Sequence, residues 1–122
     1  MYKRQVYVSN TIGDAALALQ CLENQKAEQN NQLFDGILNQ QLLRALECPT
    51  PQTNLGIELL SIANACIDIS DGLVADLSHI ARQSAVDILL NVDSVPVSEH
   101  YQLYLKQGGN IDLALSLSLI HI

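Results

Sequence analysis

Basic side chains are scarce: six lysines and arginines stand against thirteen acids in 122 residues, giving a formal charge of −7. They form no patch, so neither a nucleic-acid nor an anionic-membrane surface is expected, because both reward clustered Lys and Arg. Acidity does not exclude ATP, whose phosphates travel with metal ions. Cysteine is equally thin. Cys21, Cys48 and Cys66 are odd in number, far apart and without CxxC or Cys/His spacing. That pattern argues against a disulfide framework or a zinc site and predicts buried or half-buried free thiols in a reducing compartment. His79, His100 and His121 are scattered as well, which predicts surface or ordinary helical roles. There is no signal-peptide pattern, no apolar run long enough to span a bilayer and no internal repeat. With 48% apolar residues, a globular cytoplasmic domain with a core is expected.

Period and punctuation divide the chain into alternating elements. Gln5 to Ser9 alternates as a short strand, and Asn10 to Asp14 turns into a helix from Ala15 to about Glu28. After a polar loop, Leu33 to Leu46 carries a broad apolar face at helical spacing, until Pro49-Thr50-Pro51 stops it. Leu55 to Asn64 reads as another helix, Ala65 to Ile69 as a strand, and the segment behind Ser70 as a helix ending near Gln83. Val86 to Val92 alternates as a third strand; Val97 to Gln107 and Ile111 to Ser116 complete the order. This succession predicts an α+β domain, a mixed sheet with helices packed on it, although three strands are few for a complete sheet.

Chemistry concentrates at one corner, Ile67-Asp68-Ile69-Ser70-Asp71-Gly72-Leu73. Asp68 is placed at a strand end, Ser70 as the helix cap and Asp71 in the first turn, where backbone N–H groups point outward. Two carboxylates and a hydroxyl at such a turn suit a divalent cation together with a phosphate. The plain alternatives are a solvated strand-end acid, an acid favoured by the helix dipole and a simple cap. Asp76 is expected on the solvated face or beside Arg82, His79 in packing or a surface hydrogen bond, and Gly13-Asp14 in a plain turn.

The residues Ala65 to Leu73, followed by Asp76-Leu77-Ser78-His79-Ile80, are similar to the IDxSDGLxxDLxHI run of the thiamine-monophosphate kinases. These belong to a superfamily with aminoimidazole-ribonucleotide synthetase and selenophosphate synthetase. Val6-Tyr7-Val8 with Gly13-Asp14-Ala15-Ala16 resembles the family's YVTGxxGDSAAGL, and Pro49-Thr50-Pro51 its RPxPR connector. The resemblance covers roughly Val6 to Ser116 and implies part of the C-terminal domain of a two-domain, ATP-dependent kinase. It implies magnesium and ATP, transfer of a phosphoryl group to thiamine monophosphate, and a homodimer for the full-length protein. Asp68 and Asp71 fall on the family's magnesium-binding aspartates and Ser70 on its ATP-contacting serine; no catalytic residue is assigned. Another ATP-using synthetase of the superfamily, or a non-catalytic nucleotide-binding module, are the competing readings.

Asn10, Ala15 and Gln52 depart from the family pattern. Its N-terminal domain and its GGEDYEL segment have no counterpart here, so these residues alone are expected to be inactive. Residues 1 to 5 can be encoded as GTG-TAT-AAG-AGA-CAG, whose reverse complement translates as Leu117 to His121. Residues 1–5 and 117–122 are therefore expected to be translated sequencing adaptor around a partial domain at 6–116, which requires the two nucleotide ends to be inverted copies of one string.

Overall fold

A computed structural model describes residues 5–26, 34 and 36–115. The expected adaptor-derived stretches, Gln5 excepted, and His121 lie outside the described residues. Six α-helices follow in order among them: α1 (Asp14–Lys26), α2 (Gln40–Glu47), α3 (Thr53–Leu59), α4 (Leu73–Ser84), α5 (Glu99–Lys106) and α6 (Asp112–Leu115), with a 3₁₀ turn at Val92–Ser94. Helix α1 lies against α2, α5 and α6, and α4 meets α6. Their shared core holds Leu17, Cys21, Leu42, Leu77, Tyr101 and Leu115, with Tyr101 wholly enclosed.

Local chemistry sets most boundaries. Helix α2 begins later than periodicity implies because the Asn39 side chain accepts hydrogen bonds from the backbone N–H groups of Gln41 and Leu42, at 2.9 and 3.1 Å. The same Asn39 contacts His100 Nδ1 at 3.1 Å, while His100 Nε2 pairs with Gln41 Oε1 at 2.6 Å. His100 is thus a part-buried bridge between α2 and α5. Helix α3 is shorter than expected, ending at Leu59, and none of its residues is buried. Ser98 caps α5 by accepting from the Tyr101 N–H at 3.1 Å, and its hydroxyl donates to Asp14 Oδ1 at the start of α1, at 2.5 Å. Beside it, the Ile12 N–H donates to the Pro96 carbonyl at 3.0 Å, and Ile12 forms a parallel bridge with Val97.

The expected strands are where the structure differs. No strand forms among the described residues; 65–69 and 86–91 carry no regular secondary structure, and the Ile12–Val97 bridge stands alone. A ladder needs a neighbouring row of N–H and C=O groups, and neither segment has one here. Their apolar side chains are covered only in part: Ile88 and Leu90 are half-buried against the core, whereas Ile67 and Ile69 are each 38% exposed and Leu89 is 99% exposed. Cysteine burial also differs in part. All three thiols are free; Cys21 is buried, whereas Cys48 and Cys66 are exposed.

Two core groups make stability fall at high pH. Burial raises the Tyr101 phenol above its ordinary 10.0 and the Cys21 thiol above 9.0. Each native group keeps its proton where the unfolded chain has lost it, so its contribution is complete below the unfolded value and is lost as pH rises above it. For Tyr101 the expected slope above pH 10 is up to about 1.4 kcal/mol per pH unit. Urea titrations of Tyr101→Phe and the parent chain across pH 8 to 11 check this; parallel curves would remove Tyr101 as the cause.

Candidate functional site

The corner between segment 65–69 and α4 is held from beneath and open above. Leu73 and Leu77 bury one side of α4 in the core, which fixes the helix start. Gly72, at φ 117 and ψ 151, occupies a region essentially restricted to glycine and turns the chain into Leu73. Above this anchor Asp68, Ser70 and Asp71 are all exposed. The three expected site residues are thus brought to one exposed turn of the fold.

Ser70 is not the cap. The helix starts at Leu73, its boundary residue is Gly72, and no side chain caps the N-terminus. The hydroxyl stands two residues before that boundary, and Gly72 offers no side chain to the early N–H groups of α4.

Asp76 is the residue the sequence misplaces. It is 3% exposed, not solvated, and its Oδ2 accepts from the Ser70 N–H at 2.9 Å and the Asp71 N–H at 3.2 Å. Helical side chains tilt toward the N-terminus, which carries this carboxylate back over the turn it ties. Arg82 does not reach it; its guanidinium bonds Ser78, through the carbonyl and the hydroxyl at 3.2 Å each. Six residues along a helix are about 9 Å apart and off-face, so pairing was geometrically poor. The usable signal was an acid in the first turn able to reach back, as in a capping box.

The other candidates separate from this corner. His79 is exposed on α4. Gly13-Asp14 is a packing turn: a side chain on Gly13 would meet Ala114 and the Tyr101 ring, and Asp14 is engaged by Ser98. No group of three or more His, Cys, Asp or Glu side chains positioned to hold a metal occurs among the described residues. Two carboxylates suit magnesium, which binds through one or two of them plus waters and substrate phosphates and not in an all-protein cage. None of the helices among the described residues is long and apolar enough to cross a membrane.

Comparison with known proteins bears on the family. No family model matches the chain. The thiamine-monophosphate kinase of Salmonella typhimurium is 37% identical over 113 residues, 91% of this chain and 33% of that protein. That of Aquifex aeolicus is 35% identical over 112 residues, covering 92% of this chain and 35% of its own length. The crystal structure of the Aquifex aeolicus thiamine monophosphate kinase superposes with a TM-score of 0.70 at 33% identity, over 88% of this chain and 35% of that one. The chain belongs to the thiamine-monophosphate kinase family. It spans about a third of the length of the curated relatives it matches. The likeness in sequence and fold extends over about nine-tenths of the chain, a stretch that includes the Asp68–Asp71 corner.

Proposed function

We propose that this chain is the C-terminal-domain part of an enzyme that uses ATP to phosphorylate thiamine monophosphate to thiamine diphosphate, and that its corner forms one wall of the magnesium and nucleotide site. The observation carrying this is the turn itself: two exposed carboxylates flank Ser70 on a backbone anchored by buried Asp76, in a chain similar to named kinases over about nine-tenths of its length. Asp68 and Asp71 would hold the magnesium, and Ser70 would contact ATP. When bound, the metal supplies neutralisation of phosphate charge, the main demand of phosphoryl transfer. The protein's own contribution is positioning, together with the uncapped N-terminus of α4, whose N–H groups favour an anionic ligand.

Segments 65–69 and 86–91, which form no ladder among the described residues, are assigned as strands of a mixed sheet, completed by the remainder of the full-length enzyme. That enzyme is a cytoplasmic homodimer acting on a small molecule, without nucleic acid or membrane, in this reading. The opposite wall of the site belongs to the same remainder. Purified residues 1–122 are therefore expected to show no ATP-dependent conversion of thiamine monophosphate, yet to bind Mn2+ weakly at the corner. Asp68→Asn and Asp71→Asn should each weaken Mn2+ binding about tenfold, equivalent to about 1.4 kcal/mol. Turnover by the short chain, or calorimetric Mn2+ affinity unchanged in both variants, would overturn the reading.

A further inference from the structure

We infer that Asp76 is a positioning residue: its buried carboxylate locks the Ser70-Asp71 backbone and so sets the spacing of the Asp68 and Asp71 side chains. The inference rests on the reading of those two acids as magnesium ligands. A carboxylate that is 3% exposed and receives two backbone N–H groups from outside its own helix is more than a surface acid. Burying it without partners would be costly, and hydrogen bonds to a charged acceptor are stronger than neutral ones. Among the described residues no buried side-chain N or O atom lacks a hydrogen-bond partner, so Asp76 resides there on the strength of what it holds.

The residues leading into the turn have little cover. Residues 61–71 are exposed throughout, and α3, the preceding helix, buries none of its residues. Packing therefore does not fix where Asp68 and Asp71 point. Gly72 supplies the bend but, lacking a side chain, cannot hold it. Among the described residues, the Asp76 clasp is a side-chain contact that ties α4 to the segment carrying the ligands. It is seated by Leu73 and Leu77, which flank it on the same helix and reach the core.

The test uses the 122-residue chain and needs no turnover. In the wild-type protein without metal, amide hydrogen exchange of Ser70 and Asp71 should be slowed about tenfold or more relative to the neighbouring Asp68 and Ile69 amides; equal rates would overturn the clasp. Calorimetric Mn2+ titration then separates positioning from charge. Asp76→Glu keeps the charge but moves the acceptor by one methylene, and should lose about tenfold in affinity; Asp76→Asn keeps an acceptor in place and should lose less. Affinity of Asp76→Glu within twofold of wild type would sink the inference. The underlying metal assignment fails separately, if Asp68→Asn and Asp71→Asn bind Mn2+ as the wild type does. Should Asp76→Glu fold poorly, as judged by thermal melting, the wild-type exchange rates still decide.

Discussion

Tyr101→Ala is expected to lower the unfolding free energy by about 3–5 kcal/mol, the range for emptying a buried ring site. That is a large share of the roughly 5–15 kcal/mol available to a domain of this class. The side chain is fully enclosed and sits edge-on to Tyr104, with centroids 5.5 Å apart. Tyr104 in turn stacks on Phe34 at 5.7 Å, so one truncation loosens a three-ring column. The hydroxyl donates to the Asn110 carbonyl at 2.9 Å, which ties the loop before α6 to α5. Tyr101→Phe removes that bond alone and should cost about 1 kcal/mol. Urea unfolding followed by circular dichroism measures both; near-equal losses would show that the ring contributes little to the core.

Gly13→Ala is expected to destabilise by about 2–5 kcal/mol, for two separable reasons. Its φ of +93 lies where L side chains are strained, by about 1–2 kcal/mol. A Cβ there would also sit 2.7 Å from both Ala114 Cβ and Tyr101 Cε2, and such overpacking costs about 1–3 kcal/mol. Because the Tyr101 ring supplies part of the clash, the two substitutions should couple. In the double variant Gly13→Ala/Tyr101→Ala the combined loss should fall short of the sum by about 0.5–3 kcal/mol. Additivity within about 0.3 kcal/mol would mean that the Tyr101 ring is no part of the clash, leaving backbone strain and the Ala114 contact as the causes.

These two residues show how unevenly the sequence discloses its fold. The helices were legible because Leu17, Leu42, Leu77 and their neighbours recur at helical spacing, which is a local property. Boundaries followed from caps such as Asn39, whose role depends on one side-chain torsion that periodicity does not report. The strands expected at Ala65–Ile69 and Val86–Val92 rest on an apolar run and on alternation respectively; pairing depends on a neighbour elsewhere, and the described residues provide none. At the site, Asp68 and Asp71 could be named from motif and resemblance, since both are carried on the turn itself. Asp76 could not, because on spacing alone a first-turn acid facing solvent and one folded back over the preceding turn look alike. Ser70 was read as a cap for the complementary reason: the glycine that displaces the helix start looks, in sequence, like part of the helix.

The contacts that join residues 12–14 to residues 96–98 also have a kinetic side. The Ser98–Asp14 hydrogen bond spans 84 positions, and closing a loop of that length costs about 4 kcal/mol in chain entropy plus a constant. The neighbouring helices α1 and α2 can meet early in time, but the enclosed Tyr101 that completes their core arrives late in the chain. During synthesis at about 5–20 residues per second, the first helical pair is made several seconds before its cover. In that interval Leu17 and Leu42 have no lid, so this segment's vulnerability to proteases and to mispairing is greatest before the ribosome has delivered α5.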